Sequence, residues 1–319
     1  MIEFDQKGVD GTVIVFGSIN MDLVVQAPRL PVPGETLLGQ NFFTAPGGKG
    51  ANQAAATARL GVPTQMVGRV GKDNFGGELV NSLKTFGVQT DYILVDEVAS
   101  SGVAAIAVDE VGENQIIVVP GANGNVNNTD VERLTHLLPQ AIILLLQFEI
   151  PMSAVMAAAI AAVQAGVTVI LDPAPAHTDV PEQLYPLIDV IAPNEIEAGQ
   201  LVGFTVDEPK TAAQAATILR QRGVKNVVVK LGARGALCAT ADETFLVPAF
   251  PVVAVDTVAA GDAFNGGLAA ALYEGLSLRE AVIWGAAAGA IACTKPGAQS
   301  AMGDRHQLNA LLQHRHDRE

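Results

Sequence analysis

The segment Asp256-Thr257-Val258-Ala259-Ala260-Gly261-Asp262-Ala263-Phe264-Asn265-Gly266-Gly267 runs small residues straight into a helix that opens on a carboxylate. Ala259, Ala260 and Gly261 have no bulk to shield their N–H groups, and unpaired N–H groups at a helix start make an anion pocket. A carboxylate beside an anion costs electrostatic energy unless it has a task. The natural task for Asp262 is to accept the proton of a hydroxyl that attacks phosphorus. The chemistry expected is phosphoryl transfer; the plainer alternative is an ordinary helix cap, since Asp and Gly often start helices.

Further groups stand where they could serve that chemistry. Gly47-Gly48-Lys49-Gly50-Ala51-Asn52-Gln53 sets glycines around a lysine at a helix start, so amides, an ammonium and an amide side chain can converge on a polyol. The same residues could form only a flexible turn. They are not a Walker loop, which would require Gly at position 43 and Ser or Thr at position 50, where Phe43 and Gly50 stand. Gly17-Ser18-Ile19-Asn20-Met21-Asp22 follows the first apolar run. Asn20 and Asp22 would then share one face at a strand's carboxyl end, where open α/β sheets bind ligands, although both are also common loop residues.

Glu149 follows the run Ile142 to Leu146 and precedes Pro151, which gives either a second carboxylate at a strand end or a solvated loop charge. In Asn194-Glu195-Ile196-Glu197 the side chains of Asn194 and Glu197 point to one side of a helix start. Glu197 could hold magnesium through water, or the pair could form a capping box. Lys230-Leu231-Gly232-Ala233-Arg234-Gly235 is a glycine-rich turn after a strand, suited to a nucleotide approaching the backbone.

The elements that must carry these groups follow from periodicity. Short apolar runs at Thr12 to Phe16, Ala141 to Leu146, Val167 to Leu171, Val190 to Ile191 and Val227 to Lys230 alternate with helix-like stretches. That alternation predicts an α/β fold with a largely parallel central sheet and helices on both faces. Asn52 to Leu60 and Thr211 to Arg222 read as helices closed by Gly61 and Gly223. Two regions, about 23–44 and 102–119, break the pattern and predict antiparallel strands and a hairpin, Val103 to Val108 and Gln115 to Val119, assembled as a small lid. No linker or internal repeat divides the chain, so one domain spanning 1–319 with a discontinuous lid is expected.

Composition excludes several classes. A chain of 319 residues, 49% hydrophobic and 16% charged, can bury a large core, and a net charge of −14 argues against a nucleic-acid partner. Cys238 and Cys293 lie far apart without metal-ligand spacing, which predicts a reducing, cytoplasmic setting. Met1 to Gly11 carries Glu3, Asp5 and Asp10, unlike the basic start of a signal peptide. The apolar stretch Met152 to Leu171 is divided at Gln164, Ala165 and Gly166 into a helix and a strand, so no membrane span is expected. No Gly-x-Gly-x-x-Gly ends a strand, which argues against a nicotinamide dehydrogenase.

Taken together, these motifs resemble the ribokinase, or PfkB-type, carbohydrate kinase family over essentially the whole chain. Asp172-Pro173-Ala174-Pro175-Ala176 and Gly297-Ala298-Gln299 agree with it. The resemblance implies ATP-dependent phosphorylation of D-ribose at O5, with 2-deoxyribose, fructose, another ketose or a nucleoside as alternative acceptors. A sugar-binding regulator without chemistry is a further alternative. It implies Asn20, Met21, Asp22, Gly48, Lys49, Gly50, Ala51, Asn52 and Glu149 around the sugar, and Asp262 as base. The Ala260 and Gly261 amides would stabilise the transferring phosphoryl group. Asn194, the Lys230 to Gly235 turn and Ala286 would meet ATP, and Glu197 would organise Mg2+. K+ would lie near Asp256, Val258, Ala292, Lys295, Gly297 and Ala301, and the lid would pair two subunits as a homodimer.

Three positions depart from the family pattern. Lys230 stands where Thr is frequent, Ala286 where His or Asn lies beside the adenine, and Gly297-Ala298-Gln299-Ser300-Ala301 where Gly-Ala-Gln-Pro-Ser is usual. They imply retained ATP use with altered nucleotide preference or cation dependence.

Overall fold

Alternation within single strands explains the layers. In the first strand Ile14 and Phe16 point into one apolar core, while Val13 and Val15 point into another. Leu144 and Leu146 against Ile143 and Leu145 repeat the division, as do Val227 and Val229 against Val228. A strand buried on both sides has no polar face, which is why these segments read as continuous apolar runs.

The computed structural model describes residues 11–316. The sequence expectation drawn from Glu3, Asp5 and Asp10 lies outside the described residues. The strands are β1 (Thr12–Phe16), β2 (Asn20–Gln26), β3 (Asn41–Gly47), β4 (Thr64–Gly71), β5 (Ile93–Asp96), β6 (Gly102–Val108) and β7 (Asn114–Val119). They continue as β8 (Ala141–Leu146), β9 (Thr168–Leu171), β10 (Val190–Ile191), β11 (Asn226–Lys230), β12 (Ala236–Ala239) and β13 (Thr244–Val247). The helices are α1 (Lys49–Arg59), α2 (Asn74–Thr85), α3 (Asn128–Leu137), α4 (Met152–Gln164), α5 (Glu195–Val202), α6 (Pro209–Gln221), α7 (Ala260–Tyr273), α8 (Leu278–Ala292) and α9 (Arg305–His316).

Nine strands form the main sheet in the order β13-β12-β11-β10-β9-β8-β1-β4-β5, parallel except where β12 and β13 turn back at one edge. Helices α3 to α6 cover one face, and α1, α2, α7, α8 and α9 the other. A separate four-stranded sheet, β3-β2-β6-β7, is the lid. It departs from the expected antiparallel arrangement, because β2 pairs with β6 in parallel from Asn20–Gly102 to Gln26–Val108. The lid also begins earlier than expected, at Asn20, so the polar residues of the first loop belong to the lid's own root.

Helices α1 and α7 sit unusually close because their contact is built from small residues. A Cβ added at Gly266 would lie 2.5 Å from Ala56 Cβ and 3.0 Å from the Thr57 amide nitrogen. Helix α1 is capped by Gly48, whose φ of 88° is open to glycine, and a Cβ there would strike the Asn20 nitrogen at 2.6 Å. Two helix starts are thereby brought to one point. Gly266→Ala is expected to cost about 2 kcal/mol of stability, since overpacking must push two backbones apart. Urea denaturation checks this, and a loss below about 0.5 kcal/mol would mean that the contact tolerates a methyl group.

Candidate active site

Asp262 is buried at this junction, at 5% exposure. Its Oδ2 accepts from Asn52 Nδ2 at 3.0 Å, and its Oδ1 accepts from Gln53 Nε2 at 3.0 Å. Burial pushes its carboxyl above the ordinary aspartate range; Lys49 opposes that rise, Asp172 adds to it, and the bonds from Asn52 and Gln53 oppose it. An aspartate adjusted upward in this way is a stronger base at neutral pH.

The helix start supplies the anion pocket in altered form. Ala259 caps α7 in a left-handed conformation, φ 58°, and the Ala260 amide bonds Thr257 O at 3.2 Å. Among the described residues the amides of Gly261 and Asp262 find no acceptor, so the open pair lies one residue later than the expected Ala260 and Gly261.

A relay of polar side chains extends from the carboxylate. Gln53 Nε2 also donates to Asp172 Oδ2 at 2.9 Å, and Gln147 Nε2 donates to Gln53 Oε1 at 2.7 Å. Lys230 Nζ lies 3.0 Å from Asp172 Oδ1, and a Cβ built on Gly261 would be 3.4 Å from that ammonium. Burial works against the Lys49 ammonium, but Asp262, Asp172, Glu149 and Glu197 outweigh it and hold the group protonated well above the usual lysine range.

On the lid side, Glu149 Oε2 accepts from Ser18 Oγ at 2.5 Å, from the Lys49 amide at 3.1 Å and from Asn20 Nδ2 at 3.4 Å. Asp22, one face-step along β2 from Asn20, is pushed up to about 7 by burial, by Glu149 and by Asp262. Carboxyl oxygens gathered in this way suit a ligand that brings hydroxyl donors.

On the other side a cleft of about 810 Å³ opens from Lys49 and Asp262 past Asn194, Glu197, Lys230, Gly232, Ala233 and Gly235 to Ala286. Asn194 and Glu197 form the capping box: Asn194 N donates to Glu197 Oε2 at 2.7 Å and Asn194 Nδ2 to Oε1 at 2.9 Å. Burial raises the Glu197 carboxyl, with Lys230 opposing. Not every residue of the expected nucleotide turn faces the cleft. Leu231 is buried at 1% exposure, and Arg234 turns to the Glu195 carboxylate and the Asp207 carbonyl.

Met21 and Ala51 likewise pack into the core, which leaves only their backbone to meet a sugar. Gly50 is buried against Ser18, whose amide nitrogen a Cβ would meet at 2.7 Å. Asp256 accepts from the amides of Val258 and Gly297, each at 2.9 Å, and so ties together two of the segments expected around the monovalent cation. Ala292 ends α8, with Lys295 in the turn beyond it, and Ala301 lies in the short helical turn Gln299–Ala301. Among the described residues no cluster of three His, Cys, Asp or Glu could hold a metal, and no helix is long and apolar enough to cross a membrane.

Ser18, Gln53, Asn123, Gln147 and Asp172 join the site without having been singled out as site residues. Two of them carried a signal. Asp172 follows β9 as Glu149 follows β8, and Gln53 stands beside Asn52. Ser18, Asn123 and Gln147 become visible only once the backbone is folded.

The fold and this site define a sugar kinase, and the pfkB family carbohydrate kinase model matches residues 10–305. The chain belongs to the pfkB carbohydrate kinase family, whose members transfer phosphate to a sugar hydroxyl. It is 41% identical over 303 residues to the ribokinase of Haemophilus influenzae, covering 95% of this chain and 99% of that relative. The structure of Arabidopsis thaliana ribokinase complexed with ribose and ATP superposes with a TM-score of 0.87 at 36% identity, covering 95% of this chain and 98% of the other. A deoxyribokinase of Salmonella typhi is 35% identical over 300 residues, 94% of this chain and 98% of the relative.

Lys230 lines this cleft, where the resemblance expects the nucleotide. Replacing it by Thr is expected to weaken nucleotide binding about tenfold, one lost charge-assisted contact, while sugar binding holds. Calorimetric titration with ADP checks this, and unchanged affinity would leave Lys230 as a partner of Asp172 alone.

Proposed function

We propose that the chain phosphorylates D-ribose at O5 with ATP, giving D-ribose 5-phosphate and ADP. The observation that carries this reading is the placement of Asp262: one buried carboxylate stands beside open helix amides, between a hydroxyl-binding cluster and an open cleft. The ribokinases among the relatives support the choice of sugar and donor.

In this reading Asn20, Asp22 and Glu149 hold the ring hydroxyls and direct the 5-hydroxyl toward Asp262. The carboxylate takes the hydroxyl proton as O5 bonds the terminal phosphorus, and the bond from phosphorus to the ADP oxygen breaks. The Gly261 and Asp262 amides and the Lys49 ammonium hold the equatorial oxygens as charge spreads over them. Lid closure excludes water, so that the sugar rather than water receives the group.

The donor set fits magnesium carried on the nucleotide phosphates rather than caged by protein. Glu197, with both oxygens bonded to Asn194, faces the cleft beside Asp172 and would reach such an ion through water. When bound, magnesium neutralises charge on the transferring group. The loop joined by Asp256 fits a K+ ion seated on carbonyls, where it would act on the helix start without touching the sugar. The lid bears exposed Phe42 and Ile117, at 60% and 69%, and we assign it to pairing with a second copy of this chain. One kinase unit with a lid, working in the cytoplasm, completes the reading.

The deoxyribokinase relative keeps 2-deoxyribose as a second acceptor. Coupled ADP release with ATP and magnesium, run on ribose, 2-deoxyribose, fructose and adenosine with and without potassium, separates these cases. Ribose turnover stimulated by potassium is expected. Greater turnover on another acceptor would correct the sugar, and no turnover on any would overturn the reading. Asp262→Ala is expected to lower kcat by roughly three to five powers of ten while calorimetric ribose binding survives. Persisting turnover would remove Asp262 from the role of base.

A further inference from the structure

The turn that follows the lid strand β7 carries a buried side chain, Asn123, at 1% exposure. Its Oδ1 accepts from the Ile19 amide at 2.9 Å. Its Nδ2 donates to the Ile19 carbonyl at 3.0 Å and to Asn20 Oδ1 at 2.7 Å. Both ends of one amide are therefore committed to the dipeptide that opens β2. The space around them is closed, because a Cβ on Gly102, at the root of β6, would lie 2.2 Å from Asn123 Nδ2 and from Asn20 Oδ1.

This arrangement decides which end of Asn20 meets a ligand. The oxygen and nitrogen of an amide side chain are nearly the same size, so shape alone does not choose between them. With its oxygen held by Asn123, Asn20 turns its NH2 toward Glu149 Oε2, 3.4 Å away. Reversal would face one oxygen against the Glu149 carboxylate and one NH2 against the Asn123 NH2. A donor beside an acceptor matches one hydroxyl, which accepts from Asn20 and donates to Glu149; a sugar without that hydroxyl leaves the Asn20 NH2 with only its long 3.4 Å contact to Glu149.

We propose that Asn123 is a positioning residue that fixes the amide orientation of Asn20 and, through it, sets the preference for ribose over 2-deoxyribose. The inference rests on the proposed sugar-kinase function and deepens it. It also couples specificity to the lid, since Asn123 joins the end of β7 to the root of β2.

The test compares kcat/KM for ribose and 2-deoxyribose in wild type, Asn20→Ala, Asn123→Asp, Asn123→Ala and the double variant Asn20→Ala/Asn123→Ala. Binding of each sugar is measured calorimetrically in parallel. Asn123→Asp keeps the shape but cannot donate to Asn20 Oδ1, and Asn123→Ala remains informative if the buried charge prevents folding. Either variant is expected to lower the ribose to 2-deoxyribose ratio about tenfold with the KM for ATP within about twofold, and the double variant should match Asn20→Ala alone. An unchanged ratio, or equal losses for both sugars together with a weaker ATP KM, would overturn the proposal. Wild type that binds and turns over neither sugar would instead overturn the sugar-kinase reading and this inference with it.

Discussion

In the proposed reading the carboxylate of Asp262 must be buried, ionisable and close to an anion at once, and those demands conflict. Burial alone would leave it protonated or would destabilise the fold. The conflict is resolved by the close contact of α1 and α7, which brings Asn52 and Gln53 within 3.0 Å of the two carboxylate oxygens and sets Lys49 nearby. That approach in turn needs Gly266 against Ala56, because a larger residue at either place would separate the helices. The glycines and alanines of these helices thus fix the distance at which Asn52 and Gln53 meet Asp262.

Charge is balanced over a wider circle than the reacting atoms. Asp172, held between Gln53 and Lys230, links the partners of Asp262 to the cleft. Lys49 and Lys230 are set among Asp172, Asp262, Glu149 and Glu197, an arrangement that keeps Lys49 protonated and receives a polyanion without drawing on the protein's net charge, which is −14. A negatively charged chain can bind a nucleotide because the needed positive field is local.

Much of this was legible in the residues. The α/β architecture followed from apolar runs such as Thr12–Phe16 and Ala141–Leu146, whose observed bounds coincide with those read from the sequence. The helix containing Asn52 begins earlier than its periodicity suggests, at Lys49, because Gly50 and Ala51 lack the bulk that marks a helical face. The parallel pairing of β2 with β6 was hidden, since strand direction between distant segments leaves no trace in local pattern. The site was legible where a reactive residue ends a strand or starts a helix, as at Asp262, Glu149 and Asn194. It was hidden where an ordinary amide acts through a neighbour, as Gln147 and Asn123 do, because nothing in composition separates them from surface amides. The bond from the Ala260 amide to Thr257 O was also hidden, because it depends on the left-handed turn at Ala259, which the residue types do not announce.

The central claim is that burial turns Asp262 into a base suited to neutral pH, and the pH dependence of kcat at saturating sugar and ATP tests it most directly. An elevated carboxyl loses its basic form as pH falls through its raised value, so an acid limb is predicted with its midpoint well above 3.8, the unperturbed aspartate value. Activity should fall about tenfold per pH unit below that midpoint. A rate that stays level until pH approaches 3.8 would contradict the account, because the base would then titrate like an exposed aspartate.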